Sequence, residues 1–141
     1  MTDVKPQFSS FLKSNGYSVT KPRQSLFDLL AGKEPMSMHD LCAAAAKDMD
    51  RASVYRTIEV FEKIGVVRRI NIGWKYKIEL SDAFAEHHHH LTCLNCKKVI
   101  PINENALENF IDNLASDQNF KPTEHQIEIQ GFCSDCIKTT L

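Results

Sequence analysis

The chain has 141 residues, 43% of them hydrophobic, with 17 basic and 18 acidic side chains and a formal net charge of -1. That length can bury a core, in one domain or two small ones. No apolar run approaches a membrane span and no signal-peptide core follows Met1-Thr2-Asp3-Val4-Lys5, so a soluble, cytoplasmic protein with no membrane partner is expected. Thiols stay reduced there, and clustered cysteines read as metal ligands rather than disulfides.

The near-neutral total hides an asymmetry. Residues 1–80 carry 13 Lys/Arg against 9 Asp/Glu, whereas residues 81–141 carry 4 against 9. A basic first half and an acidic, His- and Cys-rich second half suggest two modules with different partners.

Along the first half, Thr20 reads as an N-cap with Pro22 in the first helical turn, and Leu26, Leu29 and Leu30 follow at helical spacing. Ser37 caps a further helix carrying Leu41 and the alanines 43 to 46; Cys42, left over from the cysteine pairs, reads as a small buried apolar residue. Asp50 caps the next helix, where Val54, Ile58 and Phe61 recur at i, i+4, i+7 before Gly65 stops it. Arg51, Ser53, Tyr55 and Arg56 lie in its first turns, off that stripe. A recognition helix reads base edges with such N-terminal residues. Residues 66–71 and 75–80 then read as two strands around Asn71-Ile72-Gly73. Short helices followed by a hairpin make a winged helix over residues 1–80; a merely solvated polar face on the helix is the plainer alternative.

Residues 81–86 read as a linker, and residues 87–141 as a second domain. Four histidines, His87 to His90, precede Cys93-Leu94-Asn95-Cys96, and Cys133-Ser134-Asp135-Cys136 closes the chain. Two Cys-x-x-Cys knuckles supply four thiolates, enough for a closed tetrahedral zinc site. In an extended segment successive side chains alternate, so His87 and His89 share one face and His88 and His90 the other. Two half-built metal sites result. Residues 99–102 follow as a strand, and Leu107, Phe110, Ile111 and Leu114 mark an amphipathic helix with Glu108 beside its buried stripe. Residues 126–130 alternate as a last strand, with His125 at its start. The 36 residues between Cys96 and Cys133 exceed a zinc-ribbon interval, so the metal staples the first and last parts of a small α/β domain.

Thr20-Lys21-Pro22-Arg23, Ala52-Ser53-Val54-Tyr55-Arg56-Thr57, the His87–Cys96 run and Gly131-Phe132-Cys133-Ser134-Asp135-Cys136, in that order, resemble the ferric uptake regulator family over nearly the whole chain. The resemblance implies an α+β protein: an N-terminal winged-helix DNA-binding domain, then a small α/β dimerisation domain with a four-cysteine zinc site. It implies a homodimer that binds palindromic double-stranded DNA when metal-loaded and represses metal-homeostasis genes. Residue by residue, Cys93, Cys96, Cys133 and Cys136 match the structural Zn(II) site. His87, His89, Glu108 and His125 match a second site in the dimerisation domain, with His89 where iron-sensing members often have aspartate. His88 and His90 match the regulatory hinge site, with Glu79 as its carboxylate and Asp82 as a competitor. Tyr55 and Arg56 match base and phosphate contacts, and Arg23 and Lys13 match backbone contacts.

This chain departs from the family pattern at Pro35, where iron and peroxide sensors bring a histidine to the hinge, and at Pro101, where they use an acidic residue. The zinc sensors' additional cysteine near the end of the wing is missing too. Three protein ligands plus water, Glu34, Asp82 or Glu104 remain for the hinge. Four imidazoles favour zinc as regulatory ion, since harder oxygen ligands suit manganese and similar ions. Iron- or peroxide-responsive regulation, with Fe(II) or Mn(II), is the alternative within the family. Outside it stand a zinc-dependent hydrolase, with Glu79 or Glu108 as base, and a metal buffer without sequence-specific DNA binding.

Overall fold

The computed structural model describes residues 5–140, and among them no helix is long and apolar enough to cross a membrane. The chain divides between Glu86 and His87 into two compact units. The first contains α1 (Lys5–Ser14), α2 (Lys21–Leu30), α3 (Met38–Ala45) and α4 (Arg51–Ile64), followed by strands β1 (Val67–Ile72) and β2 (Lys75–Leu80).

Each helix start is set locally. Thr20, Ser37 and Asp50 hold extended backbone, and their side chains accept from the amides of Arg23, Asp40 and Ser53 respectively; a cap of this kind satisfies an N–H that the helix itself leaves unbonded. Gly65 ends α4 at φ 87°, and its N–H returns to Glu62 and Phe61 carbonyls, a left-handed cap that a Cβ would strain. The buried faces of these helices converge on Phe8, Leu26, Phe27, Leu41, Val54, Ile58 and Phe61. Cys42 is half-buried and packs against that core. Phe8 stacks on Phe27 with centroids 4.1 Å apart and meets Phe61 edge-on at 5.6 Å.

β1 and β2 form an antiparallel hairpin in which Ile72 pairs with Lys75 and Arg68 with Glu79. The sequence places the turn at residues 71–73; it falls instead at Gly73-Trp74, and β1 runs on through Ile72. A two-residue hairpin loop with glycine first is the favoured type II′ arrangement, and Gly73 has φ 62°. Met36 and Ile78 exchange backbone hydrogen bonds of 2.9 and 2.7 Å, tying the α2–α3 connection to β2. Residues 81–86 belong to the first unit, where Phe84 packs edge-on against Phe11 and Phe27, each at 5.3 Å.

The second unit is a three-stranded sheet, ordered β4-β3-β5. β3 (His89–Cys93) pairs antiparallel with β4 (Val99–Ile102) and parallel with β5 (Glu128–Gly131). A parallel pair needs a long crossover, supplied here by β4 and α5 (Asn105–Asp117); α6 (Ser134–Thr140) begins inside the second cysteine pair and carries Cys136. Helix α5 corrects one expectation. Its apolar stripe exists, but the helix has no buried residue, and Phe110 and Leu114 are 65% and 55% exposed. Phe120, Ile129, Phe132 and Ile137 are exposed as well. Apolar side chains at helical spacing specify a face; burying them takes a second layer, which this unit lacks.

The first unit therefore carries the larger apolar core. Phe27→Ala, which removes a fully buried ring with two aromatic neighbours, should cost about 3–5 kcal/mol. Urea unfolding followed by circular dichroism measures it; a loss below about 1 kcal/mol would mean that the site repacks freely.

Candidate metal centres and nucleic-acid interface

The sheet register brings the cysteines together. Cys93 pairs with Gly131 at the end of β3 and β5, so the two knuckles leave adjacent strands side by side. The first knuckle closes through Cys93 N–H to Lys98 O at 2.9 Å and Lys97 N–H to Cys93 O at 3.0 Å. Lys97 sits at φ 66° in that turn. Cys93, Cys96, Cys133 and Cys136 present four sulfurs, all within 4.8 Å of one another, with Cys96 and Cys133 Sγ 3.8 Å apart. That is the edge of a tetrahedron with metal–sulfur bonds of about 2.3 Å, the zinc–thiolate length.

The thiols are tuned unequally. Amide N–H groups of Cys133 and Cys96 point at Cys93 and lower its thiol to about 6; the first of these bonds spans 3.4 Å. Cys133 is lowered by the Cys136 amide and thiol. At Cys136, a bond from Asn95 Nδ2 at 3.3 Å favours the thiolate, but the Cys133, Cys93 and Cys96 sulfurs and burial outweigh it and push the thiol up to about 11. An ion that binds all four must displace the proton of Cys136, and its charge supplies the compensation the neighbouring thiolates need.

At the opposite end of β3 the histidine run separates into two pairs. His87 and His89 meet edge to face at 4.7 Å, and so do His88 and His90. The strand itself begins only at His89. On the first face, α5 contributes Glu108 and the segment before β5 contributes His125. Glu108 Oε1 lies 2.6 Å from His89 Nε2, Glu108 Oε2 lies 2.7 Å from His125 Nε2, and His125 and His87 Nε2 are 3.1 Å apart. One ligand atom from each of the four residues falls within 4.8 Å of every other. Burial opposes ionisation of Glu108, but hydrogen bonds from His89 and His125 and the charge of the imidazoles outweigh it and hold its carboxyl below the usual range.

The four donors are not equivalent. The Ile127 amide donates to His89 Nδ1 at 3.0 Å, so the neutral His89 ring carries its proton on Nε2 and gives it to Glu108. Metal-ligating histidines ordinarily donate their second ring N–H instead. His87, Glu108 and His125 can thus hold a divalent ion directly, while His89 joins only by giving up that proton. This contact is invisible in the sequence, because a backbone amide supplies it.

For the expected hinge residues, each unit shows its own part. His88 and His90 stand side by side in the second unit, with His90 1% exposed. Glu79 is 6% exposed on β2, where Arg68 Nε donates to its Oε1 at 2.8 Å and Arg68 Nη1 reaches Asp82 at 3.3 Å. Both carboxylates considered for the hinge therefore share one guanidinium. The hairpin register that sets Arg68 opposite Glu79 is the signal that could have revealed it. Pro101 faces His90 across the β3–β4 ladder, and Glu34 and Glu104 are exposed.

The expected DNA-contact residues fall into three groups. Arg23, Ser53 and Arg56 line one open cleft of about 610 Å³ where the starts of α2 and α4 meet, together with Thr20 and Asp50. Arg56 Nη2 donates to Ser53 Oγ at 3.2 Å, and Arg23 Nη1 donates to Ser18 O at 2.7 Å with its guanidinium 5.3 Å from the Tyr17 ring. Arg51 and Tyr55 form a separate cation–π pair, 5.6 Å apart. Lys13 lies in the last turn of α1, outside the cleft.

Comparison with known proteins gives the same outline. The sequence profile described as "Ferric uptake regulator family" matches residues 14–130. The ferric uptake regulation protein of Legionella pneumophila is 33% identical over 137 residues, covering 91% of this chain and 97% of that one. Among solved structures, the Vibrio cholerae ferric uptake regulator superposes with a TM-score of 0.74 at 28% identity, over 89% of this chain and 99% of that one. The Pseudomonas aeruginosa ferric uptake regulator, solved with manganese, gives 0.76 at 27% identity, over 89% and 96%. With the winged hairpin, the four-cysteine cluster and a match along nearly the whole sequence in agreement, this chain belongs to the ferric uptake regulator family.

Proposed function

We propose that this protein is a repressor in which a divalent ion, zinc in preference to iron or manganese, binds Glu79, His88 and His90 and so fixes the spacing of two α4 helices in a dimer. The coarser statement follows from the family itself, whose members are metal-dependent transcriptional regulators and not enzymes; a hydrolase is thereby set aside. The observation that carries the finer reading is the pairing of His88, just before β3, with His90 within it, separate from the His87–His89 pair. Imidazole pairs suit zinc better than the harder ions. In this reading the bound ion supplies a positive centre and fixed coordination angles, nothing more.

The chain's own residues do the rest. Arg68 bridges Glu79 and Asp82 and so orients both carboxylates. The exposed large apolar side chains Phe110, Leu114, Ile129 and Phe132 support dimerisation, because apolar groups left uncovered in number are what an interface buries. Regulators of this family are DNA-binding dimers, and a dimer presenting two α4 helices suits a palindromic operator with half-sites about one helical turn apart. An ion with a differential affinity of about 2–3 kcal/mol for the DNA-binding geometry gives roughly a 30- to 150-fold switch.

Replacing both His88 and His90 by Ala should abolish that metal stimulation, read by fluorescence anisotropy of labelled operator, while gel filtration still shows the dimer. An unchanged metal response in the double variant would overturn the hinge assignment. Zinc stimulation at free concentrations far below those effective for iron or manganese would support zinc, and the reverse order would refute it.

Arg51→Ala should weaken operator binding by about 1–3 kcal/mol and relax base preference, whereas Lys13→Ala should weaken all duplexes alike and lower the salt slope by about one. Equal effects of the two variants on specific and random DNA would contradict the roles given to them.

The four-cysteine site has a structural role in this reading. Binding free energies of about 10–16 kcal/mol for structural zinc match or exceed the stability of a whole small domain, about 5–15 kcal/mol. Cys133→Ser, or chelation under reducing conditions, should therefore unfold the second unit and leave the first folded. Hydrogen exchange reads this directly: retained amide protection in β3 and β5 after metal loss would eliminate the structural role.

A further inference from the structure

Trp74 is the only tryptophan in the chain, and it is 87% exposed. It occupies the second position of the Gly73-Trp74 turn, at the tip of the β1–β2 hairpin. Exposed single apolar residues are common, but three features set this one apart. First, its backbone is fixed: Gly73 at φ 62° and the Ile72–Lys75 pair close the turn directly beneath it. Secondly, Lys75 Nζ sits 5.1 Å from the ring centroid, so the ring and a cation are offered together. Thirdly, the hairpin carries Arg68, Arg69, Lys75 and Lys77 against a single acid, Glu79. Arg69 is already engaged by Glu62 at 2.9 Å and lies 4.1 Å from the Tyr76 ring, and Arg68 by Glu79. The positive charge left for a ligand therefore comes from Lys77 and from the Lys75 that attends Trp74 at the tip.

A rigid aromatic face beside an ammonium group suits a polyanion that also offers flat apolar surfaces. Duplex DNA does both: phosphates for the lysine, and sugar faces or an opened base step for the indole. A membrane surface or an acidic protein would also supply charge, but the hairpin belongs to the same unit as α4, and regulators of this family bind DNA. We propose that Trp74 and Lys75 form a second DNA contact, separate from α4, in which the indole packs against the sugar or base edges of the duplex and Lys75 binds the adjacent phosphate. The inference rests on the DNA-binding function proposed above. It adds to the interface an apolar term that is insensitive to salt.

The lone tryptophan is its own reporter. The metal-loaded, full-length protein is titrated with labelled operator duplex, and anisotropy and tryptophan emission are read in the same samples with acrylamide as quencher. Binding should reduce the acrylamide quenching constant severalfold in step with the anisotropy. Trp74→Ala should lower operator affinity about tenfold with an unchanged salt slope, within the range found for loss of a stacked aromatic. Trp74→Phe should recover most of that loss. Lys75→Ala should reduce the salt slope by about one. Because the ring is exposed, the thermal midpoint and metal content of all three variants should match the parent. Normal anisotropy with undiminished quenching and unaltered Trp74→Ala affinity would overturn the contact and leave the repressor function standing. Failure of any metal-dependent DNA binding would overturn both. Shielding of the ring that grows with protein concentration in the absence of DNA would assign it to a contact between copies, and likewise refute the proposal.

Discussion

The parallel pairing of β3 with β5, from His90–Glu128 to Cys93–Gly131, is the constraint on which the second unit depends. At its carboxyl end it delivers the two cysteine knuckles to one another. At its amino end it delivers His125 and the Ile127 amide to His87 and His89. Four paired residues span only about 13 Å at the usual rise per strand residue, so a thiolate cluster and an imidazole cluster are built at the two ends of one short ladder. With few buried apolar side chains in this unit, the ladder gains little support from packing. An ion in the thiolate cluster would thus stabilise the imidazole cluster through the strand pair itself.

Within the imidazole cluster, the proton and the metal compete for one position. Glu108 is held ionised by the histidines around it, and the His89 proton lies between Nε2 and that carboxylate. An aspartate in place of His89 would bring an oxygen and a negative charge; the histidine brings a neutral ring with its lone pair turned toward a backbone amide. While His89 keeps its proton, the site has one negative charge and one oxygen donor fewer than it would with an aspartate there. Both changes move it away from ions that demand several hard oxygen ligands.

Local features of the fold are legible from the chain and non-local ones are not. Thr20, Ser37, Asp50 and Gly65 act within a single helical turn, and each performs the capping its residue type implies. The alternation of the four histidines is equally local, since it needs only an extended backbone. The hairpin turn is misplaced by sequence alone because Ile72 could belong either to a three-residue loop or to the strand; pairing with Lys75 decides between them. The stripe on α5 reads as buried because periodicity reports which side chains share a face, and says nothing of whether that face is covered by this chain or by another. Helix α6 escapes notice because seven residues that begin inside a metal knuckle carry too little periodicity to register. The amide on His89 and the Arg68 bridge to Glu79 and Asp82 depend on register, which a sequence alone constrains weakly.

The start of α4 shows how the proposed DNA contact divides its labour. A bare helix N-terminus attracts phosphate through its free amides and positive dipole end. Here Asp50 takes the Ser53 amide at 2.7 Å, and its bonds to Ser53 hold its carboxyl below the ordinary range. It therefore stays ionised at any physiological pH, and the helix end that would draw a phosphate is already satisfied by a charge of the same sign. In the proposed contact, phosphate binding at the cleft would come from Arg23 and Arg56, working against the Asp50 charge rather than with a dipole. Arg23 is tethered by Ser18 and backed by Tyr17, an arrangement that orients a guanidinium without consuming all of its donors. Arg51 and Tyr55, a cation–π pair outside the cleft, would remain for the bases in that contact. Attraction and reading thus fall to different side chains on the same two turns of helix. A capping acid beside the cleft raises the cost of non-specific binding and so sharpens the dependence of DNA affinity on base contacts.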